Sequence, residues 1–296
     1  DIALNISRET MQQNHQVNLI AKNIEKKIKK ELLEMLKENR GDYEKFYQSF
    51  GMQLKHGIYS SYGMHKDTLE DLLLFYSSKD EKYVTLAEYV ERMPESQKEI
   101  YYASGESINN VKMLPQVEVL KDYGYEVLYL TEYLDEFVIK ILNSYKDKKF
   151  VNVTDKSLDL DTEEEKKAIS KVNDDNKEML DFIKDTLKDY VKDVKFTNKL
   201  KNHPVCLSST GDLSLEMEHI INTMPNQEEK VKAETILEIN DSHNVSKKMR
   251  ELFKENNTDE LATYAKILYN QARLISGLPV DNPNELTDLI CSIISK

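Results

Sequence analysis

The first quarter of the chain repeats hydrophobic residues at helical spacing. Its apolar positions recur every three or four residues, with lysine and glutamate between them, as on one face of an α-helix. They are Val17, Ile20, Ile24, Ile28, Leu32 and Met35. A second helix is predicted after Gly41, and a shorter third over residues 69–76. The second helix would bury Phe46, Phe50, Leu54 and Ile58. The pattern predicts a block of packed helices with a structural role.

The pattern changes after a polar break at residues 77–82. Thr85 and Glu88 have the spacing of a capping box, which opens a short helix. Three apolar runs of strand length then alternate with helical segments, at residues 99–103, 126–130 and 150–153. Strands that alternate with helices favour a parallel sheet with helices on both faces. We therefore predict a small three-layer α-β-α unit with a mostly parallel sheet.

An acidic stretch separates this unit from the rest of the chain. Residues 155–165 hold six carboxylates and one basic side chain, as expected for a solvated linker that runs into a helix. Beyond it we predict a long helix, a pair of strands at 194–200 and 205–209 joined around His203-Pro204, and a short helix over 213–222. A further strand at 235–239 and a helix complete an α+β pattern.

Two amphipathic helices end the chain. Gly277 stops the first, and Asn282 caps the second with a proline at its first position. Their apolar positions are Leu261, Tyr264, Leu268, Ile275, Leu286, Leu289, Ile290, Ile293 and Ile294. This surface either folds back onto its own domain or packs against a second copy of the chain in a four-helix bundle. We favour the second interpretation, which predicts a homodimer.

Composition narrows the classes of partner and compartment. The 296 residues carry a formal net charge of -12, which disfavours nucleic acid and anionic membranes because both require a basic face. No apolar run approaches the 18 or so residues of a membrane-spanning helix, and no signal peptide is apparent. The two cysteines, Cys206 and Cys291, have no ligand spacing. We expect reduced thiols and a cytoplasmic protein.

Few residues suggest catalysis by this chain. There is no glycine-rich phosphate loop, and Ser104-Gly105-Glu106 indicates a tight turn rather than an anion site. Cys206 and His203 could form a nucleophile and base only if the intervening Pro204 allowed it, and Cys206 is expected to face inward. The six histidines share no ligand spacing, so no metal site is predicted.

The opening residues carry a more specific signal. The chain begins without methionine, which suggests a piece of a longer protein, and it contains Asn5-Ile6-Ser7-Arg8-Glu9 followed by Met11-Gln12-Gln13-Asn14. By helix-start rules alone, Ser7 is an N-cap and the charges are solvated. The string resembles the catalytic loop in the middle domain of the ninety-kilodalton heat-shock chaperones, in their bacterial form.

The resemblance continues, in order and at matching spacing, over essentially the whole chain. The strings that carry it are Tyr101-Tyr102, Gly105, Tyr125-Glu126-Val127-Leu128, Leu130-Thr131, Asp135-Glu136, Pro204-Val205-Cys206-Leu207, Ile236-Leu237-Glu238-Ile239-Asn240 with His243, and Leu268-Tyr269-Asn270-Gln271-Ala272. It implies a helical part of the middle domain at 1–79, including a catalytic-loop remnant at 4–14. It also implies a small α/β part at 80–157 and a C-terminal dimerisation domain at 158–296.

The resemblance also implies roles for particular residues. Arg8, supported by Gln12, would reach the γ-phosphate of ATP held by an N-terminal domain that this chain lacks. ATP and Mg would therefore be cofactors of the parent protein, and this chain alone is expected to hold no cofactor and to be inactive. Unfolded or partly folded client proteins would contact Tyr133, Glu136, Phe137, Leu213, Met217, Ile220 and Ile221.

The expected partners are a second copy, client proteins, the N-terminal ATPase domain and the seventy-kilodalton chaperone system. Two alternatives remain open from the residues. A monomeric α/β enzyme with helical extensions would show one deep pocket with perturbed carboxylates. A structural helical scaffold would leave Leu213 and Met217 buried, because the apolar face of an ordinary helix lies inward.

Overall fold

The computed structural model describes residues 15–156, 158, 160–225 and 229–295. Its α-helices are α1 (His15–Glu38), α2 (Arg40–Ser60), α3 (Lys66–Leu69), α4 (Leu86–Glu91), α5 (Ile108–Lys112), α6 (Pro115–Asp122), α7 (Asp135–Leu142), α8 (Glu163–Asp175), α9 (Lys177–Thr186), α10 (Leu215–Thr223), α11 (Asn244–Lys254), α12 (Thr258–Ile275) and α13 (Pro283–Ile294). Its strands are β1 (Leu74–Ser77), β2 (Tyr83–Thr85), β3 (Ile100–Ser104), β4 (Val127–Leu130), β5 (Ser144–Tyr145), β6 (Lys148–Asn152), β7 (Asp193–Thr197), β8 (Val205–Thr210) and β9 (Glu234–Asn240). The α+β class is confirmed.

Helix α2 buries a different face from the one that its phenylalanines predict. The buried residues are Tyr43, Tyr47, Gly51, Lys55 and Ile58. Phe50 is exposed, so its predicted place in the core was wrong. The inward face is stabilised by polar partners that a hydrophobic pattern does not register. The Tyr43 hydroxyl donates to the Leu72 carbonyl at 2.5 Å. The Lys55 ammonium pairs with Asp135, the first residue of α7.

The third helix predicted over residues 69–76 is mostly a 3-10 turn and a strand. Helix α3 is only four residues long and runs into a 3-10 turn at Glu70–Leu72, after which the chain becomes strand β1. The polar break at 77–82 is the turn of a β1–β2 hairpin, in which Phe75 lies opposite Val84. A short apolar run between polar flanks fits either a helix or a buried strand, and here pairing with β2 and β4 decided the outcome.

The larger sheet is mixed rather than mostly parallel. Its strand order is β2-β1-β4-β3-β6-β5. Strands β3–β4 and β3–β6 pair in parallel, whereas β1–β2, β1–β4 and β5–β6 are antiparallel. The prediction included β3, β4 and β6 and missed the two hairpins that add antiparallel edges. Alternate residues of β3 enter opposite cores, Tyr102 towards α7 and Tyr101 towards α6, so helices cover both faces.

A second sheet of three strands follows, in the order β7-β9-β8. Strands β7 and β8 were predicted to pair with each other, but β9 lies between them, parallel to β7 and antiparallel to β8. Helices α9, α11 and α12 bury its apolar face through residues such as Ile183, Met249 and Leu268. Within the part of the chain that the structure describes, no helix is both long and apolar enough to cross a membrane.

Candidate functional site

Arg8 and Gln12 lie outside the described residues, so the structure carries no observation on the catalytic-loop remnant. The other candidate residues fall in two places. One group surrounds helix α7 and the start of α10, at the junction between the two sheets. The other lies on the last two helices.

Helix α7 is anchored from its first residue. One oxygen of Asp135 accepts hydrogen bonds from the backbone amides of Thr131 and Glu132, at 3.1 and 3.0 Å. Its other oxygen lies 2.5 Å from the Lys55 ammonium on α2. Burial lowers the pKa of Lys55, but attraction to Asp135 and Glu132 outweighs it, and the net shift is upward. Burial raises the pKa of Asp135, and the Lys55 charge opposes that shift. Both side chains are buried, and their contact fixes α7 against α2.

Glu136, the next residue, points the other way and is also buried. Its side chain is 2% exposed. One oxygen accepts from the Asn152 amide at 3.1 Å, with the Tyr102 hydroxyl at 3.5 Å, and the other accepts from the Ser214 hydroxyl at 2.8 Å. Burial, followed by the Glu136 charge, raises the pKa of Tyr102. Glu136 therefore joins α7 to β6 and to the segment before α10.

Ser214 is the N-cap of α10. Its oxygen accepts a hydrogen bond from the Met217 amide at 3.1 Å, while its hydroxyl donates a hydrogen bond to Glu136. Such a cap satisfies one of the amides that a helix start leaves unpaired. One turn along α7, Lys140 donates to the Asp212 carbonyl at 2.6 Å. Two side chains of α7 thus hold the segment that leads into α10.

A cavity of about 450 Å³ lies beside these contacts. Its lining is mainly polar and includes Glu136, Lys140, Asn152, Asp155, Asp212 and Ser214. Three of these residues are acidic and one, Lys140, is basic. Neither cysteine nor histidine is among the residues that line the cavity. Its carboxylates, hydroxyls and lysine offer both hydrogen-bond donors and acceptors.

Apolar side chains are accessible on both sides of the junction. On the α7 side, Tyr133 is 50% exposed, and Phe137 is half-buried with its ring edge against Tyr59, 5.9 Å between centroids. On the α10 side, Ile220 and Ile221 are partly exposed. We call these two groups, Tyr133 with Phe137 and Leu213 with Ile220 and Ile221, the α7 patch and the α10 patch.

The two predicted groups are not uniformly accessible. Met217 is 7% exposed and belongs to the interior, and Leu213 is half-buried. Glu136 is inaccessible as well. In this conformation, Glu136 and Met217 are therefore buried side chains rather than surface contacts. Met224, just after α10, is exposed and was not among the predicted residues.

The residues proposed for dimerisation also divide by burial. Leu261 and Leu268 pack inside the core of the second sheet, so their apolar surface is already covered within one chain. Leu286 is buried at 9% exposure. Ile290 and Ile294 are exposed, Ile294 by 77%, while Tyr264, Ile275, Leu289 and Ile293 are partly exposed. The accessible aliphatic stripe is therefore narrower than the sequence pattern and is concentrated on α13.

Cys206 and His243 take structural positions. Cys206 is buried on β8, as predicted, and burial raises its pKa well above the usual range of a thiol. His243 is the N-cap of α11, and its Nδ1 accepts from the Val245 amide at 3.2 Å. Among the described residues, no group of three or more His, Cys, Asp or Glu side chains is arranged to hold a metal ion.

Sequence reasoning did not identify Lys55, Asn152 or Ser214 as part of this site. Lys55 lies in a helix whose other lysine, Lys45, is exposed, and nothing local marks Lys55 as buried. Ser214 carried a weak signal, because serine three residues before Met217, just ahead of an apolar run, is an N-cap pattern. Its partner Glu136 lies 78 residues away, beyond the reach of any local pattern.

The chain resembles known proteins over its whole length. A family model described as Hsp90 protein matches residues 1–296. A chaperone protein HtpG of Clostridium botulinum (strain Langeland) is 52% identical over 294 residues, which cover 99% of this chain and 47% of that protein. A chaperone protein HtpG of Bacillus subtilis (strain 168) is 50% identical, with 99% and 47% covered. The chain spans about half the length of these relatives.

Proposed function

The chain belongs to the Hsp90 family, and from that premise we propose that it supplies the client-binding and dimerisation surfaces of an ATP-driven chaperone. Its relatives of about 50% identity are chaperone proteins, which supports a chaperone role. The observation that carries the client-binding proposal is the pair of accessible apolar patches, on α7 and α10, at one junction. Their aromatic and aliphatic side chains suit weak contact with many unfolded segments.

The proposed second role is to hold two copies of the chain together. The exposed aliphatic stripe on α13 supports it, because Ile290 and Ile294 bury little surface within one chain. Covering such a stripe with the same stripe of a second copy gives a self-complementary interface. The interface we propose is Leu289, Ile290, Ile293 and Ile294 with Tyr264 and Ile275. Leu261, Leu268 and Leu286 support it from the interior.

We further propose that Arg8 and Gln12 act only in the longer parent protein. There, Arg8 would stabilise charge on the γ-phosphate of Mg-bound ATP in a preceding domain, as cationic side chains do in phosphoryl transfer. The chain by itself would neither bind nor hydrolyse ATP. That preceding domain and the seventy-kilodalton chaperone system are its proposed partners beside clients, and the cytoplasm stays its predicted location.

Client binding is tested with a permanently unfolded protein. The probe is fluorescently labelled, reduced and carboxymethylated α-lactalbumin, and the readout is fluorescence anisotropy against increasing concentrations of the chain. Tyr133→Ser should weaken binding at least fivefold, because it removes an aromatic contact at the centre of the α7 patch. Tyr123→Ser is the matched control, since Tyr123 is equally exposed but lies at the end of α6, before β4, and outside both patches. Equal binding by the two variants, or none by the unsubstituted chain, would refute the proposal.

A further inference from the structure

The buried position of Glu136 suggests a role other than contact with clients. At 2% exposure, its carboxylate is not available to a polypeptide that arrives from solvent. We propose that Glu136 is a positioning residue that holds the start of α10 against α7, so that the α7 and α10 patches keep a fixed separation. This inference rests on the proposed function, because it concerns how the two halves of the client surface are held.

The hydrogen bonds of Ser214 give the first argument. A serine hydroxyl can donate one hydrogen bond, and Ser214 donates it to Glu136 at 2.8 Å. The same oxygen accepts a hydrogen bond from the Met217 amide at 3.1 Å. The cap of α10 and its attachment to α7 therefore share one atom. The Glu136 charge also lies near the N-terminal end of a nine-residue helix, where the helix dipole favours an anion. Moving α10 away from α7 must break this arrangement.

The second argument is the rigidity of Glu136 itself. Its other oxygen accepts from Asn152 on β6 at 3.1 Å, so the carboxylate is fixed to the sheet as well as to its own helix. Lys140, one turn further along α7, holds the Asp212 carbonyl at 2.6 Å. Residues four apart lie on the same side of a helix. One face of α7 therefore holds the segment before α10 at two points.

The third argument is the position of the α7 patch. Tyr133 and Phe137 flank Glu136 in sequence, and Phe137 packs edge-on against Tyr59 of α2. The same short helix thus presents one patch on one side and fixes the start of the other patch on another side. Because α7 is itself held to α2 through the Lys55–Asp135 pair, displacement of either patch is transmitted through Glu136 and Ser214.

The experiment separates helix capping from attachment to Glu136. Ser214→Asp keeps an N-cap, because aspartate accepts from the same backbone amide. It also places a second carboxylate against Glu136, and two buried like charges repel. In the double variant with Glu136→Gln, the introduced amide can donate to the introduced carboxylate and relieve the repulsion. The readout is hydrogen–deuterium exchange of the α10 amides in the full 296-residue chain.

We expect Ser214→Asp to accelerate exchange in α10 at least tenfold, and the double variant to return it to within about threefold of Glu136→Gln alone. Ser107→Ala, which removes the N-cap of α5, is the matched control and should leave α10 unchanged. If Ser214 were only a cap, Ser214→Asp would be neutral and no rescue would follow. That result overturns the proposal. Should Ser214→Asp fail to fold, Glu136→Ala leaves the Ser214 cap in place, removes its attachment to α7, and must itself accelerate α10 exchange.

Binding of the labelled α-lactalbumin gives the functional readout. Ser214→Asp should weaken binding about fivefold, and the double variant should restore it, in parallel with exchange. Tyr133→Ser should weaken binding without changing α10 exchange, because it alters a contact and not the attachment. Rescued exchange without rescued binding would show that Glu136 does not position the client surface. If the unsubstituted chain bound no probe, the proposed function would fail, whereas exchange would still decide the attachment.

Discussion

Lys55 and Asp135 form an ion pair of 2.5 Å that is almost completely buried and joins α2 to α7. The Lys55 side chain also lies over the Phe75 ring, 5.2 Å from its centroid, and reaches Glu132 at 2.5 Å. A charge in such a place is stable only when it is paired, because transfer from water to the interior costs several kcal/mol per ion. The pair therefore fixes the helix that carries Glu136 and Phe137, together with Tyr133 two residues before its start.

Breaking this pair from one side should destabilise the chain strongly. Lys55→Met leaves the Asp135 carboxylate buried without its cation, and removing one partner of a buried pair costs ~3–5 kcal/mol. Urea unfolding followed by circular dichroism measures the change. Lys45→Met is the matched control, because Lys45 and Asp42 form an exposed pair on the same helix and its loss should have no measurable effect. A similar, small effect of both variants would contradict a buried pair.

The pH dependence of the Lys55 effect follows from the upward shift of its pKa. A lysine whose folded-state pKa exceeds the unfolded value of 10.5 contributes stability that is fully present below that value. The contribution is lost only as the pH rises through the higher folded-state pKa. The difference in unfolding free energy between the unsubstituted chain and Lys55→Met should therefore not decline between pH 7 and 9. Burial raises the pKa of Asp135, and loss of the Lys55 charge raises it further, so titration of this carboxyl in the variant can only enlarge the difference as the pH rises. A decline within that range would contradict the shift.

The two cysteines should differ sharply in reactivity. Cys206 is buried on β8, and burial raises its pKa, so both access and the fraction of reactive thiolate are low. Cys291 is exposed on α13. We expect an aromatic disulfide reagent at pH 8 to modify one thiol per native chain, and two in denaturant. Cys291→Ser should abolish the native reaction, whereas rapid reaction of this variant would place Cys206 at the surface.

Two glycines allow the strain of a positive φ to be separated from packing. Gly277, which ends α12, has φ +74 and Gly124 has φ +76, a region that costs other residues ~1–2 kcal/mol. A Cβ at Gly124 would meet nothing within 4 Å, whereas one at Gly277 would lie 3.2 Å from the Asn110 amide nitrogen. Gly124→Ala should therefore show the backbone cost alone, and Gly277→Ala a larger loss of stability in the same urea assay. Equal losses of stability would mean that the Asn110 side chain moves away from the new Cβ at no cost.

Local signals predicted local features well. The Thr85–Glu88 capping box is present, and Asn282 caps α13 with Pro283 at its first turn. These features depend on residues within one helical turn, and so does the run that forms β4. The family resemblance was also confirmed, because many short strings in one order carry more information than any one of them.

Features that depend on distant partners were not predicted. Strand β9 enters between β7 and β8, and no local pattern specifies which strands pair. The run Leu72-Leu73-Leu74-Phe75-Tyr76 fits a helix or a strand equally, and only pairing with β2 and β4 decides. Glu136 was expected at the surface because the family resemblance implies a contact with client proteins there. Its burial depends on Asn152 and Ser214, which are 16 and 78 residues away.

The α13 stripe leads to a prediction about assembly. Ile290→Ser with Ile294→Ser should convert a dimer into a monomer, because these side chains are the most exposed part of the proposed interface and lie clear of the chain's own core. Sedimentation equilibrium measures the change, and truncation after Gly277 should have the same effect. Ile24→Ser is the matched control, since Ile24 is an exposed isoleucine of α1, far from α13 in sequence.

Cys291 provides an independent measurement of the same interface. Because it is the exposed thiol, donor and acceptor dyes can be attached to it in separate samples and the samples mixed. Energy transfer should develop as subunits exchange, and it should be absent for the Ile290→Ser and Ile294→Ser double variant. If the unsubstituted chain sediments as a monomer and shows no transfer, the stripe is not a subunit interface. Transfer that survives the double substitution would instead place the interface away from α13.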